Sequence, residues 1–291
     1  MRKLPAVVMA IAFCASALGA PWQRVISYGA DLTPEERVSV VRDFGLPPEV
    51  DPGQIPTITV THGEEAALLQ RVAPPEAIGT RAVSSVYIER VAAGGGLSVS
   101  TRNITWVSPA MYANAMATGG VRDAKVIVTA PSPVSGTAAL TGIFKAFSHL
   151  TGRTLPAPAE EAAAEELVGT GELGQNLGRE RAASYMAAVK EELVESRVTT
   201  AAEIRSIVER VANEQKMNLT AEQLNRVTDI MVRISKLGLD LGDLRAQLKN
   251  FTQTRAKPAA GLSGLIAQVI AFFQSLFKQL VGFVGRFVRF S

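Results

Sequence analysis

The chain has 291 residues and is 47% hydrophobic, which is enough apolar side chain for the buried core of one large domain or two smaller ones. This composition excludes a globally disordered chain. Six of the 30 lysines and arginines lie near the termini, at positions 2, 3, 257, 278, 286 and 289, so the remaining 24 face 27 acids and the body carries a net charge of −3. A slightly acidic body without a run of cations lacks the positive surface that phosphate backbones require, and we expect no nucleic-acid partner.

Residues 1–20 have the pattern of a secretory signal peptide. Two cations follow the initial methionine, an apolar run extends to Phe13, and small residues precede possible cleavage sites after Ala17 and Ala20. The apolar run is too short for a stable transmembrane helix. The single cysteine, Cys14, lies inside this segment, so the mature chain would have no thiol for a disulfide or a thiolate metal site. The pattern predicts export.

Residues 21–155 alternate between strand-like and helix-like patterns and predict an α/β sheet domain. Thr33 and Glu36 form a capping box around Pro34, which marks the start of the first helix. Two β-rich runs, 82–91 and 97–105, flank a glycine-rich stretch and predict an antiparallel hairpin. The remaining predicted elements are a strand at 55–61, helices at 64–70, 109–119 and 136–150, and a short strand at 125–129.

Strand patterns stop after residue 155, and residues 156–255 predict a helical subdomain. Capping boxes at Thr200 and Thr220 mark two of its helix starts. The glycine-rich stretch 169–174 matches a dinucleotide-binding pattern in its letters, but no strand precedes it, and we interpret it as a loop between helices. Acidic pairs such as Glu165 and Glu166 are typical of a solvated helix face. The predicted fold class is α+β: a small mixed β-sheet with flanking helices, then an all-helical segment and a C-terminal amphipathic helix.

Several distinctive strings lie in residues 28–248. They are GADLT (29–33), IGTRAVSSVY (78–87), NITW (103–106), MYANA (111–115), APSPVSGTAALTG (130–142) and ELVGTGEL (166–173). With these strings the chain resembles the YpuA-like secreted proteins, a bacterial family classed as a domain of unknown function. The resemblance implies export and a shared fold, and it brings no catalytic residues.

The C-terminal segment, residues 262–291, follows a predicted hinge at 256–261 and has the strongest pattern in the chain. At 100° per residue its large apolar side chains occupy one half of a helical wheel. The opposite half contains Lys278, Arg286 and Arg289, which we assign to lipid headgroups, and no acidic residue. The residues predicted to contact a membrane are Leu262, Leu265, Ile266, Val269, Phe273, Leu276, Phe277, Leu280, Val284 and Phe287.

Three interpretations of this apolar stripe remain open. A helix lying on an anionic lipid surface keeps its polar face in water. The same stripe could dock on the body of the protein, or on a second copy. A spanning helix is disfavoured, because Lys278 at mid-span would cost ~2.5–3.5 kcal/mol. We expect the first, so the predicted partner is an anionic membrane surface, with self-association through the tail as the alternative.

A candidate polar or anion-binding site comprises Arg81, Asn103, Ser135, Gly136 and Thr137. The segment 131–137 follows a strand and opens a helix, whose free amides and the Ser135 hydroxyl could bind an anion. The simpler interpretation is that Ser135 is an ordinary N-cap. Arg81 and Asn103 lie at strand ends, where they could line a binding surface or satisfy loop carbonyls.

Catalytic signals are weak. Only His62 and His149 are available as imidazoles, and without a helical His-x-x-x-His pair we expect no metal site and no cofactor. Ser84, Ser85 or Ser135 could form a triad with a histidine and Asp123, but no Gly-x-Ser-x-Gly elbow is present. We expect a non-enzymatic exported protein whose body is a binding or assembly module, with a secreted envelope-associated hydrolase as the alternative.

Overall fold

The structure, a computed structural model, describes residues 23–252. The predicted signal peptide (1–20), the hinge (256–261) and the amphipathic tail (262–291) lie outside the described residues. No helix within residues 23–252 is both long enough and apolar enough to cross a bilayer.

A five-stranded mixed sheet forms the amino-terminal half, and helices follow it along the chain, which confirms the α+β class and the predicted succession of sheet and helices. The strands are β1 (Arg24–Gly29), β2 (Thr57–Val60), β3 (Ser85–Arg90), β4 (Leu97–Ile104) and β5 (Ala124–Val134). The helices among them are α1 (Pro34–Asp43), α2 (His62–Leu69), α3 (Pro75–Ile78), α4 (Pro109–Gly119) and α5 (Thr137–Thr151). The later helices are α6 (Ala157–Leu177), α7 (Arg179–Ser196), α8 (Ala201–Glu214), α9 (Ala221–Ser235) and α10 (Leu241–Thr252).

Helix starts follow local capping chemistry. The Thr33 hydroxyl accepts from the Glu36 amide and the Glu36 carboxylate accepts from the Thr33 amide, as the sequence predicted for α1. Thr61 and Glu64 form the same box at α2. Because each box satisfies two backbone amides that the helix itself leaves unpaired, these starts depend on a few neighbouring residues only.

The strand order is β2-β1-β3-β5-β4, and the predicted hairpin between residues 82–91 and 97–105 is wrong. The longer strand β5 lies between β3 and β4, antiparallel to the first and parallel to the second. Val126 and Val128 of β5 are buried in the main core, and β5 is paired with a neighbouring strand on both sides. All strands except β3 therefore run in the same direction, and their carboxyl ends meet at one edge of the sheet.

Helix α6 runs without interruption through residues 169–174, where the sequence predicted a loop. Its glycines are sites of close packing. A Cβ on Gly171 would lie 2.3 Å from the Trp106 ring, and one on Gly169 would lie 2.4 Å from Ile230. The glycines let α6 approach its neighbours, and this contact compensates for their low helix propensity.

The two faces of the sheet carry separate cores. On one face α1 covers Ile26, Tyr28 and Tyr87. On the other face α5 packs on β1 and β3, α4 packs on β4, and α6 packs on α4, in a core that also includes Leu244 and Leu248 of α10. The helical half thus shares this core with the sheet, while α7, α8 and α9 form a further core together with Ala162 and Leu173 of α6.

Two ion pairs join α6 to its neighbours α7 and α9. The Lys190 ammonium of α7 lies 2.7 Å from Glu166 Oε1 of α6, and both side chains are fully buried. Glu165, its neighbour, is also buried and pairs with Arg233 of α9. The prediction that these acidic residues form a solvated face is therefore wrong, because α6 is packed on several sides and has no solvated face at this level.

Candidate functional site at the strand ends

Polar side chains gather where the carboxyl ends of the parallel strands meet. Asp31 follows β1, His62 and Glu65 lie in the helix after β2, and Ser135 and Thr137 follow β5. Ligands of open α/β sheets bind at this kind of edge. We call His62, Glu65, Ser135 and Thr137 the Glu65 cluster.

The Glu65 cluster is built around one buried carboxyl group. The side chain of Glu65 is 1% exposed, and its Oε1 lies 2.7 Å from the Thr137 hydroxyl. Thr137 Oγ1 also lies 2.8 Å from the Ala77 carbonyl oxygen, and the Ser135 hydroxyl donates to that same carbonyl at 2.6 Å. The end of α3 is thereby attached to the start of α5.

Two buried atoms of the cluster have no hydrogen-bond partner among the described residues. They are His62 Nδ1 and Glu65 Oε2, which face each other at 3.7 Å. This separation is too long for a direct hydrogen bond. Buried polar groups are almost always paired, so an unpaired couple at a sheet edge is an informative exception. The His62 side chain as a whole is 39% exposed, so other parts of the imidazole reach solvent while Nδ1 is buried.

Burial raises the pKa of the Glu65 carboxyl above its usual value, and the negative charge of Asp31 adds to the rise. The Thr137 hydrogen bond and the nearby His62 act in the opposite direction. The carboxyl group therefore holds its proton more strongly than a surface glutamate does. Protonated Glu65 can donate to Thr137 Oγ1, which leaves the Thr137 proton free for the Ala77 carbonyl.

The N-cap of α5 is Gly136, whereas the sequence favoured Ser135. Gly136 has φ +96°, and a Cβ at this position would lie 2.5 Å from Ile104 and 2.6 Å from the Tyr112 hydroxyl. That hydroxyl donates to the Gly136 carbonyl at 2.5 Å. The left-handed turn points the Ser135 side chain away from the helix amides and toward Ala77. The candidate anion-site residues Ser135, Gly136 and Thr137 thus lie beside a carboxyl group of the chain itself.

Arg81 and Asn103 make no hydrogen bond to the Glu65 cluster in the part of the chain that the structure describes. Arg81 Nη2 donates to the Asp31 carbonyl at 2.7 Å and to Glu36 Oε2 at 2.9 Å, which ties the loop before β3 to the start of α1. Asn103 occupies a bulge in β4 with φ +57°, and its amide donates to the Ala130 carbonyl at 2.8 Å. Asparagine tolerates this left-handed conformation. Both residues support the backbone around the strand ends.

The residues considered for a serine triad are divided between the two ends of the sheet. Asp123 precedes β5, at the end of the sheet where the parallel strands begin. Its carboxylate accepts a hydrogen bond from the Gly96 amide there at 2.9 Å. Ser84 and Ser85 are buried, and Ser85 Oγ accepts weakly from the Gly29 amide at 3.3 Å. A triad that includes Asp123 therefore does not form. His62 and Ser135 share the Glu65 cluster, but Glu65 and Thr137 separate them.

Comparison with known proteins agrees with the sequence resemblance. The family model described as "Protein of unknown function (DUF1002)" matches residues 28–251. The chain belongs to the DUF1002 family. It is 35% identical over 260 residues to the "Uncharacterized protein YpuA" of Bacillus subtilis (strain 168), and the match covers 88% of each chain. No solved structure matches the chain.

The DUF1002 match includes strands β2 to β5, the last two residues of β1, the Glu65 cluster and all but the last residue of α10. Residues 262–290 lie outside the match. Within residues 23–252, the DUF1002 chain has no group of three or more histidine, aspartate or glutamate side chains placed to hold a metal ion. Sequence reasoning missed Glu65, since a glutamate in the first turn of a helix usually faces solvent and stabilises the helix dipole.

Proposed function

We propose that this DUF1002 protein is an exported, non-enzymatic protein that attaches to an anionic membrane surface through residues 262–290. The folded body would then act as a binding or assembly module at that surface. The observation that carries the proposal is the separation of apolar and polar side chains in this segment. Its large apolar residues fall in one half of a helical wheel, and Lys278, Arg286 and Arg289 fall in the other half without any acid.

The energetics favour the membrane surface over a spanning arrangement. A helix in the interface keeps Lys278 hydrated, whereas a spanning helix would bury this ammonium at a cost of ~2.5–3.5 kcal/mol. Each cation near an anionic lipid surface adds ~1 kcal/mol of attraction. The composition of the segment thus suits an anionic lipid surface better than the bilayer interior.

The competing interpretation is docking of the tail on the body, and a groove among the described residues is suitable for it. An apolar groove of about 470 Å³ is lined by residues of α4, α7 and α10, including Ala183 and Phe251, close to where the described chain ends.

Flotation of the full-length mature chain with vesicles of phosphatidylglycerol and phosphatidylcholine tests the proposal. We expect flotation to be lost in the double variant Phe273→Asp/Phe277→Asp. Withdrawing two phenylalanines from lipid costs ~3–6 kcal/mol, or at least about a hundredfold in partitioning. The matched control is Gln268→Asp/Ser275→Asp, which adds the same charge to the polar half and should still float.

Equal flotation of the two double variants, or no flotation of the wild type, would reject membrane attachment. If the tail docks on the body instead, Phe273→Asp/Phe277→Asp should lower the urea midpoint of the body without any lipid present. Export is tested separately, by expressing the full chain in a bacterium and measuring the amino terminus of the extracytoplasmic product by mass spectrometry. We expect the terminus to follow Ala17 or Ala20. An uncleaved chain retained in the cytoplasm would contradict export.

One observation favours a second candidate function, a hydrolase held near the envelope. The unpaired His62 Nδ1 faces the unpaired Glu65 Oε2, and a carboxylate can orient an imidazole for general-base chemistry. We expect His62→Ala to abolish any hydrolysis of a panel of nitrophenyl esters, and Ser135→Ala to abolish it as well if Ser135 is the nucleophile. The matched control is His149→Ala, which removes the other, exposed histidine. Hydrolysis by the wild type that is unchanged in His62→Ala, or no hydrolysis at all, would count against this function.

A further inference from the structure

A groove runs along the free edge of the sheet, between α1 and the edge strand β2. We call it the β2 groove. Its volume is about 820 Å³, and its walls combine the outer strand with one side of the helix. The lining includes Leu32, Val38 and Val41 on the helix side and Ile55, Thr57 and Thr59 on the strand side.

The strand side of the groove offers backbone hydrogen bonds. Among the strands of residues 23–252, β2 is at the end of the sheet order and pairs with β1 alone. The Ile26 amide donates to the Pro56 carbonyl and the Ala30 amide donates to the Val60 carbonyl, so the even-numbered residues of β2 face β1. By alternation, the backbone groups of Thr57 and Thr59 point away from the sheet. Lys145 donates to the Thr59 carbonyl, and the amides of both threonines remain directed outward.

The helix side offers an apolar wall. Val38 is 62% exposed, the most exposed large hydrophobic side chain among the described residues. It lies beside the partly buried Leu32 and Val41, which pack on the α1 face of the sheet. The side chains of Thr57 and Thr59 point to this same face, since their partners Ile26 and Tyr28 belong to the core under α1. An added strand would place every second side chain against this wall.

The groove also contains a cation without an acidic partner. The Arg37 guanidinium stacks on the Tyr28 ring, 4.0 Å from its centroid, and forms no ion pair among the described residues. Tyr28 is paired with Thr59, so Arg37 lies opposite the carboxyl-terminal half of β2. Stacking holds the guanidinium plane in place while its edge stays available for a carboxylate.

We propose that the β2 groove binds an extended peptide, which adds a strand to β2, packs apolar side chains on Val38 and Val41, and places a carboxylate against Arg37. The carboxylate is either an acidic side chain or the carboxyl terminus of the peptide. This binding site goes beyond the proposed membrane attachment and does not depend on residues 262–290. It can be tested in solution without lipid.

Selection from a displayed library of random decapeptides, with the full-length mature protein as bait, tests the proposal. We expect enrichment of peptides with alternating apolar residues and an acidic residue or a free carboxyl end. The bait Val38→Asp should not enrich them, and it should fold normally because Val38 is exposed. The matched control Val91→Asp changes the other exposed valine, which lies outside the groove, and should enrich the same peptides as the wild type.

Synthetic versions of an enriched peptide separate the parts of the interaction. In an added strand, every second amide of the peptide points toward β2. N-methylation of these amides should weaken binding by about tenfold or more, and N-methylation of the amides between them should have little effect. Comparison of peptide acids with amides, and of Glu with Gln, identifies the source of the carboxylate. Arg37→Glu should reverse the preference from acidic to basic peptides. Arg42→Glu, which alters an exposed arginine outside the groove, should not reverse this preference.

Three results would overturn the proposal. The first is that the wild type enriches no peptides beyond those enriched by Val38→Asp. The second is that N-methylation weakens binding equally for the two alternating sets of peptide amides. The third is a concentration-dependent dimer in analytical ultracentrifugation that disappears in Val38→Asp, which would assign the groove to a second copy of the chain.

Discussion

Lys190 is fully buried, and its replacement should lower the stability of the protein considerably. Its ammonium donates to the Asn114 carbonyl and the Thr118 hydroxyl at 2.9 Å, and to the two Glu166 oxygens at 2.7 and 3.0 Å. Burial lowers the pKa of Lys190, and the charge of Glu166 opposes this effect. The substitution Lys190→Met keeps a long flexible side chain but removes the charge and all of these hydrogen bonds.

The expected loss of stability comes from the Glu166 carboxylate, which stays buried after Lys190 is replaced. Without Lys190, Glu166 keeps the hydrogen bond from Thr118 at 2.5 Å but has no opposite charge in a site closed to water. Breaking a buried ion pair by removing one partner costs ~3–5 kcal/mol of unfolding free energy. Adding Glu166→Gln removes the uncompensated charge, so the double variant should be more stable than Lys190→Met alone.

Urea unfolding followed by circular dichroism measures this cost. With a slope of about 2 kcal/mol/M, Lys190→Met should lower the midpoint by roughly 1.5–2.5 M. The control Arg205→Met breaks a surface pair with Glu209 on α8 and should cost less than ~1 kcal/mol. The reasoning would be refuted if Lys190→Met cost no more than Arg205→Met, or if the double variant were less stable than both single variants.

Two other predictions concern Glu65 and Gly171. Because burial raises the folded-state pKa of Glu65, its contribution to stability is present below the unfolded pKa of about 4.3 and is lost as pH rises through the folded value. Glu65→Gln should therefore match the wild type near pH 4 and become more stable than it by pH 8 in urea titrations. A constant difference across this range would contradict a raised pKa. Gly171→Ala forces a Cβ against Trp106 and should cost ~1–3 kcal/mol in the same assay, whereas Gly63→Ala, with 3.9 Å to its nearest atom, should be neutral or stabilising. Equal changes in stability for the two alanine variants would show that the close contact of Gly171 with Trp106 does not limit the side chain at this position.

Local chemistry determined the parts of the fold that the sequence predicts well. The start of α1 is specified by Thr33 and Glu36 within one turn, so it could be recognised without tertiary information. The strings shared with the family predicted a likeness over residues 28–248, and this range agrees with the family match over 28–251. The export signal and the apolar stripe of residues 262–290 are also properties of the sequence alone, and they stay predictions.

Tertiary structure decided the features that depend on distant partners. The placement of β5 between β3 and β4 follows from long-range pairing, which a glycine-rich turn between two strand patterns does not reveal. The sequence pattern around Gly171 predicts a loop, and only the Trp106 ring packed against this residue explains why a glycine lies inside a helix. The candidate site was predicted in part. Ser135, Gly136 and Thr137 lie at the strand ends as expected, but the sequence pattern did not predict that Glu65 is buried or that its Oε2 faces His62 without a hydrogen bond.

The sequence by itself determined where α1 begins and which class of fold forms, because capping and periodicity act over a few residues. The family followed from longer strings of matching residues. Only the tertiary structure decided which polar side chains lose their water. Glu65, Glu166 and Lys190 resemble surface residues in the sequence, and they are buried because helices far apart in the chain pack together around them. Burial is a property of the assembled core, and no local pattern encodes it.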